Sequence, residues 1–157
     1  MKSLGEFLDE HAAQQQETGE VARSLREAWV RNVNRVVAGI EEWLRSADHH
    51  GILDIYLHDV EKREEGIGYY CTRGITVRLG AREVAVAPVA RFVVAASLVG
   101  LPARPDGRID ITNGESRYSL YHLADCPEGR WVMVGEGKGL LPFDRPHFEA
   151  AMQDLLG

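Results

Sequence analysis

Residues 53–86, LDIYLHDVEKREEGIGYYCTRGITVRLGAREVAV, decide the fold class. Leu53–Val60 alternates apolar and polar side chains, and Glu61–Gly66 is charged and turn-like. Ile67–Thr72 and Ile75–Leu79 resume a β-branched and aromatic pattern, and Gly80-Ala81 connects tightly to Glu83–Val86. Period-two runs bounded by glycine and charge read as antiparallel hairpins. Pro88 lacks the N–H that a central strand needs, and it stops the last run.

Upstream the period changes. From Val21 to Leu44 apolar residues recur at spacings of three and four, among them Trp29, Val33, Val36, Ile40 and Trp43. That spacing lines one face of a helix over Glu20–Ser46, a rod of about 40 Å at 1.5 Å per residue. Ser3 followed by Glu6 has the capping-box spacing and predicts a helix start. Gln14–Gly19 predicts a break, so residues 1–17 are expected as a helical segment loosely attached to the rest.

Downstream, Val89–Val99 is too apolar to show a period. Pro88 before it and Gly100 and Pro102 after it predict a short buried middle helix. Arg104–Gly107 is a turn, followed by strands at Arg108–Thr112, Arg117–Leu123 and Trp131–Val134. Asn113-Gly114 joins the first two as a type I′ hairpin signal. Cys126–Gly129 turns the chain again, and Gly135–Gly139 reads as a loop crossing to the C-terminal helix. Asp144 as cap and Pro146 in the first turn open that helix, with Phe148, Met152, Leu155 and Leu156 as its apolar face. The expected fold is one α+β domain over 1–157. It has a mainly antiparallel sheet of six to seven strands, a long N-terminal helix, a short middle helix and a C-terminal helix.

The order helix, strands, helix, strands, helix in a small acidic chain is similar in layout to type III secretion chaperones and related bacterial cytoplasmic adaptors. That resemblance implies a protein-binding role, possessed by the layout rather than by any motif.

Composition narrows the function classes. A chain of 157 residues is one ordinary domain, and 45% hydrophobic with 27% charged residues describes a globular protein. The net charge of −6 is spread along the chain, which argues against nucleic acid as partner. Arg73, Arg78 and Arg82 near Tyr69 and Tyr70 are diluted by neighbouring acids. The longest apolar run, Pro88–Gly100, is interrupted by Arg91 and falls short of the ~20 residues of a membrane span. Cys71 and Cys126 lie far apart, and no apolar leader segment precedes them, so the expectation is a cytoplasmic protein with reduced thiols.

Catalytic and metal signatures are weak. His49, His50, His58, His122 and His147 lack zinc-ligand spacing, apart from the isolated pair His122-x₃-Cys126. Gly135–Gly139 fails the phosphate-loop spacing, and neither a nucleophile elbow nor an H-E-x-x-H helix is present. No cofactor or metal is expected. The leading expectation is a non-enzymatic protein-binding module, an adaptor, chaperone-like protein or regulatory subunit. Its partner is another protein or a second copy, met through Trp29, Val33, Val36, Ile40 and Trp43 or through a sheet edge. The alternative is a small hydrolase or transferase built around His58, Cys71, His122, Asp125 and Cys126. A third reading, sensing of a small ligand inside a curved sheet, requires a closed apolar cavity.

Overall fold

The computed structural model describes residues 1–91, 105–123 and 130–157. Helix α1 spans Leu4–Ala47 without interruption. Strands β1 (Asp54–Glu64), β2 (Gly68–Leu79), β3 (Arg82–Ala90), β4 (Pro105–Thr112), β5 (Arg117–Leu123), β6 (Trp131–Gly135) and β7 (Gly139–Pro142) follow, and α2 (Arg145–Leu156) closes the chain. The strands form one antiparallel sheet in sequence order, each hydrogen-bonded to the next. The architecture is α+β, with a helix at each end of the described chain.

Three details differ from the sequence reading. The break expected at Gln14–Gly19 does not occur. Glutamine and glutamate are good helix formers, and one glycine costs a helix only about 1 kcal/mol. The Thr18 hydroxyl donates back to the Gln14 carbonyl at 2.9 Å, so it is satisfied inside the helix and does not act as a cap. Second, the described residues contain no middle helix. Val89 and Ala90 end β3, and residues 92–99 of the expected helix lie outside the described residues. Third, the segment read as a loop after Trp131–Val134 turns into β7. Gly137 and Gly139 take positive φ there (69° and 71°), letting Gly139–Pro142 return along β6.

The Asn113-Gly114 hairpin is where expected but is not a type I′ turn. Only Gly114 has positive φ. The Asn113 side-chain oxygen instead accepts from the N–H groups of Glu115 and Ser116, at 2.9 and 2.8 Å, a side chain standing in for a backbone turn.

The core lies where α1 meets the sheet. β2 pairs with β3 only over Ile75–Leu79, because β3 then diverges to continue along β4. α1 occupies the edge that this divergence opens. Arg26 donates to the Ile67 carbonyl at 2.8 Å, and the Arg73 N–H donates to the Asn34 side chain at 2.9 Å. The buried face of β2 changes at the same place, from Tyr70, Thr72 and Gly74 to Ile75 and Val77. α2 packs Phe148, Ala151, Met152 and Leu155 into the same core.

Candidate functional site

The five α1 residues singled out by periodicity all face their own chain. Trp29, Val33, Val36 and Ile40 are buried, Trp29 to 1% exposure. Trp29 packs beside the Trp131 ring, centroids 6.0 Å apart. Trp43 is half-buried between Phe143 and Phe148, each 5.4 Å away between ring centroids. These side chains hold the helix to the sheet.

The exposed apolar surface of α1 lies further toward its start. Every residue from Met1 to Val21 is exposed. Beyond Met1, the large apolar groups among them are Leu4 (72%), Phe7 (55%), Leu8 (54%) and Val21 (55%). The helix begins on a capping box, with the Glu6 N–H donating to Ser3 Oγ at 3.2 Å and the Ser3 N–H to the Glu6 carboxylate at 3.0 Å. Eighteen residues make about five turns. On that period Leu4 stands in line with Ala22 and Ile40, Phe7 with Leu25 and Trp43, and His11 with Trp29. The face that is buried from Trp29 onward therefore continues, in register, past the body of the protein with no part of the described chain against it. The exposed length Leu4–Val21 is about 27 Å at 1.5 Å per residue.

A second constellation is polar and internal. His122 on β5 is buried, and its Nδ1 lies 2.6 Å from Asp106 Oδ1. A carboxylate only accepts, so Nδ1 carries the hydrogen and Nε2 has no partner among the described residues. The Trp131 ring stands edge-on to the imidazole at 5.1 Å. Arg91 donates to the Asp106 backbone carbonyl at 2.8 Å and lies 3.4 Å from its carboxylate. The Arg91 N–H reaches the Glu64 carboxylate, which also accepts from the Tyr70 hydroxyl. Burial, and then that carboxylate, push the Tyr70 phenol well above its ordinary value. The network ties β1, β2, β3, β4 and β5 together at the end of the sheet next to Trp29. Charged groups enclosed this way fix geometry more than they add stability.

The remaining candidates do not join it. His58 is exposed on β1, bonded to Thr76 Oγ1 at 3.1 Å, and three strands separate β1 from β5. Cys71 is exposed on β2, opposite Glu61. Asp125 and Cys126 lie outside the described residues. Among the described residues no three His, Cys, Asp or Glu side chains cluster as metal ligands. No described helix is long and apolar enough to cross a membrane. An open apolar groove of about 440 Å³ lies between the last turns of α1 and α2, lined in part by Trp43, Leu53, Phe148, Met152 and Leu156. It is a surface groove, unlike the enclosed cavity a ligand-sensing sheet requires.

Periodicity located the stripe but not the part of it left uncovered. The 18-residue alignment of Leu4, Ala22 and Ile40 was the signal that links the two. Glu64, Arg91 and Asp106 carry no local pattern, and only the strand pairing brings them together. Comparison with family models, curated proteins and solved structures finds no match to this chain.

Proposed function

We propose that this chain is a non-enzymatic protein-binding module, and that its docking element is the exposed face of α1 from Leu4 to Val21. One observation carries the reading. The face that builds the core continues in register for about five turns beyond the body, and it exposes Leu4, Phe7, Leu8 and Val21 to water on either side of the polar His11, Gln14, Gln15 and Thr18. An unsupported helix of this length is marginal in water, and apolar groups on its surface gain most when another surface covers them. Gly5 and Gly19 weaken the isolated helix further. The alternative of a hydrolase or transferase at His58, His122 and Cys126 has less support, because His58 lies three strands from the His122–Asp106 pair.

The test is position-specific photo-crosslinking in the cells that make the protein. A photoreactive residue in place of Phe7 is expected to give a discrete protein adduct. The same residue in place of Asp9, on the opposite side of the helix, should give none. Equal labelling at the two positions, or no adduct at Phe7, refutes the reading.

A further inference from the structure

We infer that the groove between the middle of α1 and the edge of β2 receives a short acidic peptide segment of a partner protein, bound in extended form. This surface is separate from the exposed start of α1, and its assignment does not depend on that face being a docking element.

The groove is made by the divergence of two strands. β2 has β1 along one side over its whole length, and β3 along the other only from Ile75 onward. Over Gly68–Gly74 that second side turns to α1. The Ile67 carbonyl accepts from Arg26, and the Arg73 N–H donates to the Asn34 side chain. In a strand, alternate residues direct their N–H and C=O groups to the same side. Those of Tyr69 and Cys71 therefore point toward α1, as those of Arg73 do. Between the two ties lies an open groove of about 470 Å³. It is lined in part by Arg26, Glu27, Val30 and Arg31 from the helix and by Tyr69 and Cys71 from the strand.

Backbone and charge together select the occupant. The strand edge offers donors and acceptors alternately. A peptide main chain uses both, as in strand addition, whereas a phosphate group uses donors alone. The helix wall is basic: residues 21–38 carry Arg23, Arg26, Arg31 and Arg35 against the single acid Glu27, in a chain of net charge −6. Arg31 makes no hydrogen bond or ion pair among the described residues. Arg26 uses one guanidinium N–H on Ile67. Guanidinium donors therefore remain for a carboxylate, the group whose geometry they match. Val30 and the exposed Tyr69 ring add apolar surface for a neighbouring side chain. The ties at Ile67 and Arg73 limit the paired stretch to about three residues, roughly 10 Å of strand.

The test is fluorescence anisotropy of a labelled five-residue peptide alternating valine and glutamate, titrated with the full chain. Saturable binding is expected. Arg31→Glu should weaken it at least tenfold without moving the thermal midpoint, because Arg31 is exposed. The counterpart with lysine in place of glutamate should not bind. Position is read at Cys71, which is exposed. In a Cys126→Ser background the glutamate peptide should slow maleimide labelling of Cys71 severalfold, and N-methylation of its alternate amides should abolish both effects. Failure to bind overturns the inference. So does binding that survives Arg31→Glu, equal binding of the lysine peptide, or unchanged labelling of Cys71. Binding indifferent to N-methylation means recognition by charge alone, and labelling that slows with protein concentration in the absence of peptide puts a second copy in the groove. Either result also overturns it.

Discussion

Gly107 sets how closely β4 approaches α1. A Cβ there would fall 2.3 Å from a Trp29 ring carbon, inside any real contact distance. The ring cannot retreat, because Trp131 stands behind it and the residue is buried. Gly107→Ala should therefore destabilise the protein by roughly 1–3 kcal/mol, the usual cost of overpacking, read as a lower urea midpoint at unchanged slope. Trp29→Ala, which empties the site, should cost roughly 3–5 kcal/mol. Combined, the two should cost less than their sum, because the alanine methyl then enters the space the indole left. Additive costs would show that Gly107 acts through something other than the ring. Trp29 was recognisable in the sequence as an apolar-face residue. Whether that face met a sheet or a partner was not, since the residues it touches come from β4 and β6, remote in sequence and placed only by strand order.

Helix ends are held by carboxylates, and these set how the elements respond to acid. Asp48 accepts from the N–H groups of Leu53 and Ile52, at 2.9 Å each, joining the end of α1 to the approach of β1. Those bonds hold its carboxyl below the ordinary carboxylate value. Asp144 caps α2, lowered first by the His147 N–H and then by the His147 ring. Asp154 is lowered by the Tyr118 hydroxyl and Lys138, which tie α2 to β5 and the β6–β7 turn. A carboxylate whose folded pKa is depressed contributes stability that is complete above its unfolded value and disappears as pH falls through the folded one. The thermal midpoint should thus hold at neutral pH and begin to fall below about pH 4. Asp48→Ala should be less stable than wild type at pH 7, and the gap should close as pH drops through that range. A gap that is constant with pH would mean the carboxylate charge is irrelevant at this junction. Of these contacts the sequence disclosed the Asp144 cap, because Asp before Arg-Pro is a local signal. The Asp48 clamp and β7 escaped it. The first depends on a loop conformation without a period, and the second on two glycines that serve a turn as readily as a loop.

At the scale of the molecule, the sheet protects its own edges while α1 does not. β7 is four residues long and ends in Pro142, and β1 faces solvent with Asp59, Glu61 and Arg63, features that discourage strand addition. The unprotected surface is helical. The antiparallel meander and the Glu20–Ser46 part of α1 were readable from period, and α2 from its cap and first-turn proline, whereas the unbroken run of α1 through Gln14–Gly19 was not. What could not be read was where the body stops, because that depends on which turns of α1 fall against the edge left when β3 parts from β2. Residues 1–21 are exposed throughout, so the body should fold without them. A chain lacking residues 1–21 should unfold cooperatively with a thermal midpoint close to that of the full chain, as read by calorimetry. A truncated chain that unfolds without cooperativity, or many degrees earlier, would show that the overhang supports the body despite its exposure.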